Sequence, residues 1–179
     1  MWTISSLCTL NYAMPYRGCA TIEDVLMRLA CSGDSYTTTG FDVNGPQPGR
    51  DNPIGNPAYP GNTQTNAPTY TDYLTTLYNQ SFVELYNFGF GGATIDVNID
   101  PSPFGYLVQS FRQQVENGFL PNYGDRVDPP WNGDNSLFTV FFGINDLILI
   151  NGKDNFRDVT AQLVASYRML INEVSYLTA

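Results

Sequence analysis

The chain has no histidine among its 179 residues, and only eight Lys and Arg stand against 17 Asp and Glu. Without imidazole a zinc site has few ligands to draw on, so no metal is expected. The formal charge of −9 repels phosphate backbones and excludes nucleic acid as a partner. No apolar run approaches the roughly 20 residues that a membrane span requires, so no membrane partner is expected either. The first twenty residues lack a basic stretch followed by an uninterrupted apolar one and do not read as a secretory leader. Cysteine is scarce and odd in number. Cys8, Cys19 and Cys31 all fall in the first 31 residues without metal-type spacing, which allows one disulfide plus a thiol, or none. Charged residues make up 14%, against the roughly 25% usual in globular proteins.

What is present is apolar and small-polar: 42% hydrophobic residues, with Tyr, Asn, Thr, Gly and Pro plentiful, in a length suited to one domain. That balance suits an extracellular protein that handles sugars. Thr21-Ile22-Glu23-Asp24 has the form of a helix start, but the stretch Val25 to Cys31 ends abruptly at Ser32-Gly33-Asp34-Ser35 and is read as a strand. Residues 40 to 69 carry six prolines among glycines and asparagines, a loop long enough to be either functional or disordered. Tyr70, Tyr73, Leu74, Leu77 and Tyr78 share a helical face, predicting a helix over Thr71 to Asn79 packed on the core. Phe82 to Phe88 reads as a strand. Phe104, Leu107, Val108, Phe111 and Val115 mark a helix closed near Asn117-Gly118. Leu137 to Phe142 is continuously apolar, as in a strand buried on both faces. Phe156, Val159, Leu163, Tyr167, Leu170, Ile171 and Val174 mark the last helix. Strand and helix alternate three times, which predicts a parallel sheet covered by helices.

In such sheets ligands bind beyond the carboxyl ends of the strands. Three unusual turns fall there: Gly33-Asp34-Ser35, Asn87 to Thr94 with Gly91-Gly92, and Gly143-Ile144-Asn145-Asp146. Gly-Asp-Ser alone is ordinary turn chemistry. With the other two turns it becomes a candidate nucleophile, because attack on a carbonyl needs donors for the oxyanion: a glycine lets a backbone N–H approach closely, and an asparagine amide supplies another. The glycine run lacks the spacing and the following lysine of a phosphate loop.

These three blocks, in this order at strand ends, resemble the SGNH or GDSL hydrolases. Gly33 to Phe41, Asn56-Pro57-Ala58-Tyr59-Pro60-Gly61 and Pro129-Pro130-Trp131 are similar to carbohydrate esterase family 16, secreted acetylesterases acting on acetylated xylo-oligosaccharides. The resemblance implies an α/β fold, a three-layer sandwich with a parallel, flavodoxin-like sheet. It implies Ser35 as nucleophile with its own N–H as one oxyanion donor, Gly92 as the next, with Gly91 the alternative, and Asn145 as the side-chain donor. Asp34 would brace its turn and Asp146 would be structural. Tyr59 and Trp131 are expected on the substrate rim. The partner would be an acetylated oligosaccharide or small ester, with no cofactor, and the protein an extracellular monomer. Asn79-Gln80-Ser81 has the form of a glycosylation acceptor.

One part of the family pattern is missing. The Asp-x-x-His block that supplies base and orienting acid has no counterpart in a chain without histidine, so these residues as written are expected to be nearly inactive. The resemblance further implies an atypical N-terminal segment over 1–22 and a partial hydrolase domain over 23–179, incomplete at the C-terminus, with Leu137 to Phe142 left as an apolar open edge. Two other readings remain: a catalytically dead fragment or pseudoenzyme, and a non-catalytic sugar-binding module.

Overall fold

Three strands run parallel in the order β2-β1-β3. The computed structural model describes residues 26–125 and 131–176. Cys8, Cys19, the pattern from Thr21 to Asp24, Val25, Pro129-Pro130 and the 1–22 segment lie outside these described residues. The strands are β1 (Leu26–Gly33), β2 (Phe82–Asn87) and β3 (Ser136–Phe141). Leu29 of β1 pairs with Leu85 and Leu137, and Ala30 with Tyr86 and Phe138, so one register runs across the sheet. Because side chains alternate between faces, Leu29, Cys31 and Leu85 pack with Ile54 on one side. Ala30 and Tyr86 face the other side and its large aromatic core.

Helix α1 (Tyr70–Thr76) leads into β2. Helix α2 starts at Phe111–Gln113, where Ser110 and Gln113 form a capping box, and continues as a π-helical stretch over Gln114–Gly124. The short α3 (Ile144–Ile150) and the 21-residue α4 (Phe156–Tyr176) follow β3. Phe111, Val115, Phe119 and Tyr123 from the α2 stretch meet Leu170 and Val174 of α4 on the Ala30 face. Helix α1 with the long loop lies on the other, giving the α/β three-layer arrangement. The chain moves from β1 to β2 on one side of β1 and then to β3 on the opposite side, and this reversal of strand order opens a crevice at the strands' carboxyl ends.

Four expectations from the sequence are corrected. Helix α1 is shorter than Thr71 to Asn79 and turned over: Thr71, Asp72 and Thr75 are buried, while Tyr70, Tyr73, Leu74, Leu77 and Tyr78 are exposed. Its inner face meets the polar ends of the strands, where Asn87 Nδ2 donates to Thr71 Oγ1 (3.2 Å) and the Thr69 N–H donates to Asp72 Oδ2 (2.7 Å). Phe104 and Leu107 are exposed in a loop before α2, and the helix runs through Asn117-Gly118 instead of closing there. Strand β3 is only half-buried, with Leu137 and Phe141 exposed on the face that α1 leaves open. Its outer edge has no partner strand among the described residues. Finally, Gly143 to Asp146 is not a free turn but the start of α3.

The loop over 40–69 is ordered by its own polar groups. The Asp42 N–H donates to Asn56 Oδ1, and Asn56 Nδ2 donates to the carbonyls of Asp42 and Pro46. Asn62 N–H closes the base of the loop on the Thr39 carbonyl at 2.8 Å. Cys31 is a free thiol at the sheet centre, receiving a hydrogen bond from Thr139 Oγ1; burial pushes its pKa up to about 12, so it stays protonated.

Candidate active site

Strand β1 ends at Gly33, where a Cβ would collide with the Thr37 side chain, so the chain can leave the sheet this tightly only with glycine. The following turn is held from within. Asp34 is fully buried; its Oδ1 accepts the Tyr36 N–H (3.0 Å) and its carbonyl accepts the N–H groups of Thr37 and Thr38. Burial raises the Asp34 pKa, opposed by the Tyr36 N–H that favours the charged form. Ser35, between these braced residues, is half-exposed at the crevice.

A second brace comes from the far side of the sheet. The carboxamide of Gln114, completely buried, accepts the Gly33 N–H at 3.0 Å and donates to the Gly33 carbonyl at 2.9 Å, extending β1 by one side-chain partner. Asn87, at the end of β2, donates to the Thr37 carbonyl (2.7 Å) and accepts the Gly89 N–H (2.9 Å), tying the first turn to the second.

The three turns converge. Ser35, Gly91, Gly92 and Asn145 line one cleft of about 360 Å³ together with Gln64 and Phe104. Gly92 has φ +80°, and a Cβ there would come within 2.5 Å of Phe104 Cδ2, so both backbone and neighbour demand glycine. The strap carrying Phe104 is fastened by Ser102 Oγ, which donates to the Gly92 carbonyl at 2.9 Å. Asn145 Nδ2 donates to the Ala93 carbonyl at 2.8 Å, which fixes the amide and leaves its second N–H without a partner among the described residues. Donors held this way need no reorganisation when negative charge develops.

Asp146 sits behind the cleft, 2% exposed, with Oδ1 accepting the Ile95 N–H at 2.9 Å. Burial pushes its pKa up to about 6, the Ile95 N–H opposes the rise, and the charges of Asp100 and Asp34 add to it. A folded-state pKa above the ordinary 3.8 means that the native state holds more protons than the unfolded chain between those two values. The carboxylate therefore costs stability as pH rises from about 4 to about 6, and the full cost persists above. Asp146→Asn keeps an acceptor for Ile95 and removes the charge. It should be more stable than the parent by about 1–3 kcal/mol at pH 8, with the difference closing near pH 4, as thermal melts at the two pH values would show.

Of the five site residues expected from sequence, three meet in this cleft and two do not. Tyr59 is exposed but does not line the cleft. Trp131 is corrected outright: it is 4% exposed, packed among Tyr86, Phe119 and Phe138 in the aromatic core, and cannot form a rim. Asn79 Nδ2 donates to the Thr75 carbonyl at 2.8 Å, just past the end of α1. Gln64, Phe104 and Gln114 were missed. Gln64 lay in a polar loop with no periodicity, Phe104 read as a helix-face residue, and a buried glutamine pairing with strand backbone leaves no local signature. Among the described residues no cluster of His, Cys, Asp or Glu could hold a metal ion, and no helix is long and apolar enough to cross a membrane.

Comparison with known proteins gives two findings. A family described as GDSL-like Lipase/Acylhydrolase matches residues 29–178. A curated protein named Acetylesterase from Thermothelomyces thermophilus is 38% identical over 156 residues, covering 87% of this chain and 50% of the relative. The chain thus spans about half the length of that relative. No solved structure matches.

Proposed function

The chain belongs to the GDSL-like lipase/acylhydrolase family, and from that membership we propose that it carries the nucleophile and oxyanion donors of a serine esterase that removes acetyl groups from carbohydrates. The observation that carries this reading is the meeting of Ser35, Gly92 and Asn145 in one cleft, with the Asn145 amide already oriented by the Ala93 carbonyl. Ser35 Oγ attacks the acetyl carbonyl carbon. The carbonyl oxygen takes up negative charge and is held by the N–H groups of Ser35 and Gly92 and by Asn145 Nδ2. Collapse expels the sugar oxygen, which leaves as a hydroxyl with the proton given up by Ser35, and puts acetyl on Ser35; water then attacks the acyl-serine, releasing acetate and restoring the hydroxyl. Acetylated xylo-oligosaccharides are the substrate, outside the cell, and the catalyst works as a monomer without cofactor.

The proton of Ser35 needs an acceptor, and no imidazole of these 179 residues can serve. Asp34 has its Oδ1 engaged by Tyr36 and acts as a brace. These residues by themselves should therefore show only the acceleration of about 10³–10⁴ over water that oxyanion stabilisation and binding leave when a triad member is absent. The test is steady-state deacetylation of an acetylated xylo-oligosaccharide by the purified chain and its Ser35→Ala variant. Turnover confined to that residual level is expected. Turnover of about 1 s⁻¹ or more, abolished by Ser35→Ala, would mean that a group other than histidine serves as base and would sink this part of the proposal.

A further inference from the structure

Beside the Ser35 cleft lies a second, of about 500 Å³, that shares Gln64 and Gly91 with it. Its lining is rich in primary amides: Asn62, Gln64, Gln109 and Asn117 all reach it, and none of these side chains has a hydrogen-bond partner among the described residues. No Lys or Arg lines it, and the carboxylate there, Asp42, has Oδ1 occupied by the backbone and side-chain N–H groups of Asn44 (2.9 and 3.3 Å). Phe90 contributes a partly exposed ring. An apolar ligand would strip water from four amides without replacing it, and an anion would find no cation. A chain of hydroxyls matches both halves of every amide, donor and acceptor, while the ring covers the apolar face of a sugar.

We propose that this second cleft binds a neutral oligosaccharide through Asn62, Gln64, Gln109 and Asn117. Two clefts joined at Gln64 and Gly91 let one sugar chain lie across both, bringing an acetylated hydroxyl over Ser35. That last connection rests on the esterase reading; the binding itself does not. The walls come from three separate elements: Asn62 and Gln64 stand on the long loop, Gln109 on the strap before α2, and Asn117 on the π-helical stretch.

The experiment is calorimetric titration of the full chain with xylotetraose, cellotetraose and, as an anionic control, tetragalacturonate. Saturable binding of a neutral tetrasaccharide is expected, with the anion at least tenfold weaker. Asn62→Ala and Gln109→Ala should each weaken binding about 2–10-fold, the loss of roughly one hydrogen bond, and Tyr176→Ala, exposed and outside both clefts, should leave it unchanged. Asn62→Asp and Gln109→Glu, which keep side-chain size, provide a second pair if an alanine variant melts without cooperativity. Absence of saturable binding in cooperatively melting protein, or equal affinity in all amide variants, would overturn the proposal. Binding that persists while Ser35 takes up no acetyl from an ester would remove the esterase reading and leave the sugar site standing.

Discussion

Asn145→Ala should slow acetylation of Ser35 by p-nitrophenyl acetate about 10²–10³-fold, the usual cost of deleting one oxyanion donor. This ester isolates the effect, because nitrophenolate departs without needing a proton, so the step requires only that solvent water take up the proton of the Ser35 hydroxyl, equally in parent and variants. The Asn145 amide sits at the first turn of α3, one N–H spent on Ala93 and the other left for the cleft. Loss of the Ala93 bond should cost about 1 kcal/mol of stability, far less than the effect on rate. Asn145→Asp separates the two roles, since it keeps the shape but places a negative charge where the oxyanion forms. Its rate should fall at least as far as that of Asn145→Ala. Equal acetylation rates in parent and both variants would remove Asn145 from the oxyanion site.

Gln114→Met should be the most damaging substitution that touches no substrate. Methionine nearly conserves volume, so the change isolates the carboxamide. Its removal strands the buried Gly33 N–H, whose partner is Gln114 Oε1; the Gly33 carbonyl retains the Phe90 N–H at 3.0 Å. One orphaned buried donor costs about 1–3 kcal/mol, a melting-temperature loss of roughly 2–12 °C in a domain of this size. Gly33 is also the last residue of β1, two positions before Ser35, so release of its N–H loosens the turn that aims the hydroxyl and the Ser35 N–H. Acetylation of Ser35 should slow by about 10–10²-fold, as expected when a reacting group drifts from its attack geometry. A variant that loses stability but keeps the parental rate would make Gln114 purely structural.

The meeting of the three turns in one cleft is legible in the sequence because its logic is local. Glycines and small polar residues directly after apolar runs mark strand ends, and a parallel sheet brings all its strand ends to one edge. The turns that carry Ser35, Gly91-Gly92 and Asn145 are therefore placed together without knowledge of any contact between them, while the choice of Gly92 and of the Asn145 amide comes from the family resemblance. Each misreading has its own physical cause. Helix α1 was oriented by its tyrosines and leucines, yet the surface it meets is made of strand ends whose Asn87 and backbone groups require polar partners; satisfying them drew Thr71 and Asp72 inward. Trp131 is expected on a rim with Tyr59 and the 40–69 loop, but an indole beside Tyr86, Phe119 and Phe138 belongs where apolar area is removed from water. Gln114 braces Gly33, 81 residues away, and the four amides of the second cleft come together from segments distant in sequence. No pattern of apolar residues announces such pairs.

The central claim, that Ser35 is the acyl acceptor of this cleft, is tested most directly by incubating the chain with p-nitrophenyl acetate and locating the acetyl group by peptide mass mapping. Hydrolysis of the acyl-serine needs a base to activate water, so in a chain without histidine the acetyl group should persist once transferred. The account predicts acetyl on Ser35 at up to one group per chain, absent in Ser35→Ala and strongly slowed in Asn145→Ala. An unmodified Ser35 in cooperatively folded protein, or acetyl distributed over surface side chains at the same rate in parent and both variants, would contradict it.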